Sequence, residues 1–93
     1  MRLARKIELL PRAAADLEAM PERVLEMVLA KLDLLRETPE MGAAMVGAFA
    51  GWRSLLAARN TYRIVYRLRK ELIEIAWVRH CARRPPKRPL RKG

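Results

Sequence analysis

His80 is the only histidine among 93 residues, and it sits just beyond an apolar run, Leu72 to Val78, with Arg79 before it and Arg83 and Arg84 after it. Arg63, Arg67 and Arg69 interrupt the preceding run, Thr61 to Arg69. These residue types suit chemistry at a phosphate. Breaking an RNA chain without a metal needs a base for the 2′-hydroxyl, a cation for the charge developing on the phosphorane and an acid for the departing 5′-oxygen. An imidazole titrates in the useful range, and a guanidinium offers paired donors to phosphate oxygens. On that scheme His80 acts as base or acid, and Arg63 and Arg83 stabilise the phosphate. The second proton-transfer group stays open: Glu74 shares a strand parity with His80, and Tyr62 or Tyr66 would have to leave the core to serve. Cys81 beside His80 is an unsupported pair without metal-ligand spacing, and no glycine-rich phosphate loop or nucleophile elbow occurs, so no metal or cofactor is expected.

The charge distribution points the same way. The net charge is +10, but residues 1–50 carry seven Lys or Arg against eight Asp or Glu, a net of −1, and residues 51–93 carry thirteen against two, a net of +11. Such asymmetry favours a partner of high negative charge: nucleic acid first, then an acidic protein, then an anionic membrane surface. A solubilising positive surface would look the same from charge alone. A lone cysteine cannot form an intrachain disulfide, no charged-then-apolar leader opens the sequence, and no stretch reaches the eighteen apolar residues of a membrane span. A cytoplasmic protein with no membrane partner is the expectation.

The elements that must position these residues follow from periodicity. Leu3 to Leu9 alternates apolar positions and ends at Pro11, which fits a first strand. From Pro11 to Met20, a proline at a tolerated first position and the spacing of Ala13, Leu17 and Met20 predict a short helix. From Pro21, Val24, Val28, Leu32 and Leu35 form the apolar stripe of a second helix, which stops at Thr38-Pro39. The two helices read as an antiparallel hairpin that offers one face to a sheet and carries no chemistry. Pro39 to Gly51 lacks a clean period and reads as a loop or weak edge. Three strand-like runs follow, Trp52 to Ala58, Thr61 to Arg69 and Leu72 to Val78, joined by tight turns at Arg59-Asn60 and Arg69-Lys70-Glu71. The result is an α+β fold: an N-terminal strand, a two-helix hairpin, then a three-stranded antiparallel meander. It occupies residues 1–84, and residues 85–93 form a basic proline-rich tail.

Strand alternation then sorts the arginines. Tyr62, Ile64, Tyr66 and Leu68 point toward the helices, while Arg63, Val65, Arg67 and Arg69 point to the opposite, open side of the sheet. Arg63 lies in the middle of the middle C-terminal run, where a concave sheet could focus its field on a phosphate. Arg53, Arg67, Arg79, Arg84, Lys87 and Arg88 supply further phosphate or RNA contacts. Those of the tail are sequence-independent, useful toward ribosomal RNA and equally toward an acidic protein. Trp52 and Trp77 could stack on bases, but their place in strand patterns suits a core or sheet-face role at least as well.

Several of these pieces carry a resemblance. Ile7-Glu8-Leu9-Leu10-Pro11-Arg12-Ala13-Ala14-Ala15-Asp16-Leu17, Thr38-Pro39, Tyr62-Arg63-Ile64-Val65-Tyr66 after a Trp-Arg-Ser-Leu run, and Val78-Arg79-His80-Cys81-Ala82-Arg83-Arg84 together resemble the RelE/ParE superfamily of toxins from type II toxin–antitoxin systems. The resemblance spans nearly the whole domain and implies one of two activities. RelE-like members are endoribonucleases that cut messenger RNA in the ribosomal decoding site, and ParE-like members inhibit DNA gyrase without cleaving nucleic acid. Both are neutralised by a cognate antitoxin. Arg63 matches the arginine of the nucleases' Tyr-Arg element that holds the scissile phosphate, and His80 and Arg83 match further basic or acid–base positions at the end of the last strand. Two departures stand out: no tyrosine follows Arg84, and Ser54 and Leu56 stand about where well-known nucleases carry lysines. The expectation is a metal-free, ribosome-dependent mRNA endonuclease acting on the ribosome and mRNA. The alternatives are a gyrase inhibitor, which the His-Cys-Ala-Arg ending also resembles, and a plain basic binding domain.

Overall fold

The computed structural model describes residues 5–82, and the basic tail expected at 85–93 lies outside them. A first strand, β1 (Lys6–Leu9), leads through Leu10 into helix α1 (Pro11–Glu18) and then α2 (Glu22–Glu37). A two-residue strand, β2 (Ala43–Ala44), a 3-10 turn (Gly47–Phe49) and three longer strands complete the chain: β3 (Arg53–Ala57), β4 (Tyr62–Arg69) and β5 (Leu72–His80). The sheet runs β1-β5-β4-β3-β2, with β1 parallel to β5 and the other neighbours antiparallel. The α+β order read from the sequence is present, and β2 supplies the weak edge expected between Pro39 and Gly51.

Local chemistry sets the helix ends. Pro11 opens α1, where its missing N–H is not needed and its fixed φ suits the first turn. Thr38 ends α2 at φ −134°, because the proline that follows disfavours a helical conformation at the preceding residue. The stripe on α2 buries Val28, Leu32 and Leu35, and α1 adds Ala13 and Leu17. They meet Ile64, Tyr66, Ile73, Ile75 and Val78 on one face of the sheet. Each fully buried aliphatic side chain there contributes about 1.5–3 kcal/mol.

The other face departs from expectation. It is not an open side: Leu10, Trp52, Val65, Ala76 and Trp77 form a second buried cluster, and Met45 and Phe49 pack over it. Phe49 meets the Trp77 ring edge-on at a centroid distance of 6.2 Å. The segment between β2 and β3, whose sequence has no period, therefore covers the middle of this face.

A β-bulge makes the second departure. Val65 pairs with Trp77 and Tyr66 with Ile75, which leaves Ala76 as an extra residue in β5. One extra residue shifts the alternation beyond it by one step. Ile73 and Ile75 face the helices before the bulge, and after it Val78 does so while Trp77 faces away. The shared parity expected for Glu74 and His80 is thus broken: Glu74 lies on the second face and His80 on the helix face.

Candidate functional site

Arg63 lies in β4 directly across from Leu56 in β3 and Arg79 in β5. Cross-strand partners share a face, so the two guanidinium groups project together beyond the covered part of the second face. Arg63 is exposed, Arg79 is half-buried, and neither has a carboxylate partner among the described residues. Like charges directly opposite each other oppose folding, so this pair does not serve stability. It does suit an anion: two guanidinium groups on adjacent strands can share one phosphate or carboxylate. Ser54, opposite Val65, and Leu56 share that face, so the positions where the nucleases carry lysines adjoin Arg63 but are neutral here.

Two other arginines expected to bind phosphate have different surroundings. The Arg67 Nε donates to Glu74 Oε1 at 2.8 Å, and its guanidinium lies 4.5 Å over the Trp52 ring. Glu74 is 2% exposed, and Arg69 Nη1 approaches the same oxygen at 3.9 Å. Arg67 therefore neutralises a buried carboxylate inside the second cluster and cannot reach a polyanion without breaking that pair. Arg53 shares the helix face with Tyr66, and its Nη1 donates to Gly42 O at 2.7 Å and Glu40 O at 3.3 Å. The Tyr66 hydroxyl donates to Pro39 O at 2.7 Å and accepts from Gly42 N at 2.9 Å. Burial pushes this hydroxyl above the ordinary tyrosine range, the Gly42 N–H and the Arg53 charge pulling it partly back. Arg53 and Tyr66 together pin the segment 39–42, and a Cβ on Gly42 would stand 2.6 Å from the hydroxyl.

His80 belongs to a different place. Its cross-strand partner is Tyr62, and the two rings meet at 5.2 Å and 73° on the helix side of the sheet. Its Nδ1 accepts from the Ala82 N–H at 3.0 Å, which closes the turn after β5 and leaves any proton of the neutral ring on Nε2. His80, Tyr62, Val78 and Arg79 line a cavity of about 220 Å³ with Asp16, Ala19 and Met20 of the α1 end. Asp16 Oδ2 accepts from the Val78 N–H at 3.0 Å. Asp16 was not among the sequence-predicted site residues, although a signal existed: with Ala13, Leu17 and Met20 it occupies an i, i+3, i+4, i+7 stripe, where a charge is out of pattern.

The structure therefore brings Arg63 to Arg79 and separates both from His80. Arg83, Arg84, Lys87 and Arg88 lie outside the described residues. Among the described residues no group of three or more His, Cys, Asp or Glu could hold a metal, and no helix is long and apolar enough to cross a membrane.

Comparison with solved structures defines the class first. The chain superposes on the toxin–antitoxin complex RelBE2 of Mycobacterium tuberculosis with a TM-score of 0.70 and 26% identity, covering 84% of this chain and 99% of that one. The E. coli RelBE complex gives 0.72 and 21%, covering 86% and 100%. The chromosomal ParDE system of P. aeruginosa gives 0.68 and 20%, covering 83% and 96%. The latter two likenesses show the fold, which is that of the RelE/ParE superfamily. A family model described as the ParE toxin of type II toxin–antitoxin system, parDE, matches residues 7–85, and the chain belongs to that family. No curated protein matches the sequence.

Proposed function

We propose that this toxin arrests growth by acting on DNA gyrase, without cutting RNA, and that a cognate antitoxin neutralises it in the cytoplasm. One observation carries the reading: the sequence's only histidine is on the face opposite Arg63, with Nδ1 engaged by the Ala82 N–H. Acid–base cleavage requires a proton-transfer group within about 2.6–3.2 Å of the reacting atoms that the cation holds. On the Arg63 face Glu74 neutralises Arg67, and Glu8, which pairs with Glu74 from the edge strand β1, lies two strands across and four residues along from Arg63. Both tyrosines point to the helix side. The residues outside the described range include no His, Tyr, Asp or Glu. Arg63 and Arg79 then act as a paired cationic contact with an acidic surface or DNA of the target. The match to the ParE model supports the same direction, and the complexes formed by similar toxins support an antitoxin partner.

A second reading, ribosome-dependent mRNA cleavage, keeps one observation in its favour. The Arg63–Arg79 pair is also an arrangement suited to gripping a phosphodiester. Two assays on the purified protein separate the readings. Inhibition of gyrase supercoiling, with no cuts in a translated mRNA followed by primer extension, is the expected result. Codon-phased cuts that need ribosomes and disappear in His80→Ala would overturn it.

A further inference from the structure

The cavity between the α1 C-terminus and the end of β5 has no part in the proposed gyrase activity, and its chemistry is the reverse of the arginine face. Among the described residues, Asp16 supplies the one charged side chain that enters it. Its Oδ2 is held by the Val78 N–H, and its second oxygen has no partner among the described residues. Arg79 also borders the cavity, but its pairing with Arg63 sends its side chain to the other face. Ala19 and Met20 form the wall at the end of α1, where the last carbonyls of a helix carry partial negative charge. No basic residue occupies the last turn of α1 to offset it. The Tyr62 and His80 rings, set edge to face, provide an aromatic side. A carboxylate held in place, a helix C-terminus and an aromatic wall together favour a cation with an apolar stem. Met20 and Val78 would pack along that stem.

We infer that this cavity receives the guanidinium or ammonium head of an arginine or lysine side chain from a partner polypeptide. The site lies across the sheet from Arg63, so its occupation does not depend on what the arginine pair contacts. In a chain of net charge +10 it gives a partner's basic residue a local counter-charge and fixes where that residue must sit.

N-acetyl-arginine amide, titrated into the full chain and followed by NMR, tests the inference. The Val78 amide and the Tyr62 and His80 ring signals should shift together and saturate. Asp16→Asn keeps an acceptor for the Val78 N–H but removes the charge, and should weaken the probe about tenfold, the difference between a charge-assisted and a neutral hydrogen bond. Sodium phosphate, the opposite probe, should leave those signals in place. Absence of saturable shifts with the arginine probe, equal affinity in Asp16→Asn, or matching shifts with phosphate would each overturn the assignment.

Discussion

Tyr62 and Arg63 are neighbours in β4, and their partners His80 and Arg79 are neighbours in β5, yet the two pairs serve opposite faces of one sheet. On the helix side, Tyr62 and His80 border a cavity with an aspartate, where Asp16 Oδ2 accepts from the Val78 N–H and His80 Nδ1 from the Ala82 N–H. On the other side, Arg63 is exposed and Arg79 half-buried, and neither pairs with a carboxylate among the described residues. The fold thus places His80 and both tyrosines across the thickness of the sheet from Arg63 and Arg79. The single residue responsible is Ala76, whose bulge turns His80 toward the helices.

The two faces should also respond differently to loss of a polar anchor. The second face encloses a charge pair, and removing one member takes the closest counter-charge from the other. Arg67→Ala would leave Glu74 buried without its closest counter-charge and remove the guanidinium that lies over the Trp52 ring. The expected cost is about 3–5 kcal/mol, read from the urea midpoint, with Trp fluorescence reporting the same cluster. A change below about 1 kcal/mol would mean that the 45–52 segment does not seal this face, since a solvated pair is worth only that much.

The helix face contains a neutral anchor, and a smaller effect follows. Tyr66→Phe removes the hydroxyl that bonds Pro39 O and Gly42 N, at an expected cost of about 1–2 kcal/mol. Its pH dependence has a defined sign. The hydroxyl's pKa is raised in the folded protein, so folding favours the protonated form. The stability this gives is fully present below the unfolded value near 10 and is lost as pH rises through the folded value. Wild-type stability should therefore fall more steeply above about pH 10 than that of Tyr66→Phe, whose lysines titrate identically. Parallel curves would show that the hydroxyl is solvated.

How much of this was legible in the sequence depends on the kind of signal involved. The α2 stripe and the alternation in Tyr62 to Leu68 repeat often enough to fix which side packs. The bulge does not repeat. Ile75-Ala76-Trp77-Val78 is apolar throughout, so a one-residue slip leaves no polar residue on the wrong face to announce it. The cover over Trp77 rests on Met45 and Phe49 in a segment without a period, and so gave no warning either. The Arg67–Glu74 pair was recoverable: counting outward from the turn that pairs Arg69 with Leu72 places residue 67 opposite 74. A lone acidic residue inside that apolar strand needed a partner.

The sharpest use of the comparison is a pair of substitutions at adjacent ladder positions. Arg63→Ala removes one of two facing like charges from an exposed position, so stability should change by no more than about 0.5 kcal/mol, while toxicity in growing cells is lost and antitoxin binding persists. His80→Ala removes one ring contact and one acceptor for the Ala82 N–H, at a cost of about 1 kcal/mol or less. It should leave toxicity intact. The neighbouring side chains would then differ fully in function while both proteins remain folded, because the sheet stands between them. Loss of toxicity in both variants, with folding verified by circular dichroism, would mean that His80 and Arg63 act on one target despite facing apart, and the cleaving reading would regain its base.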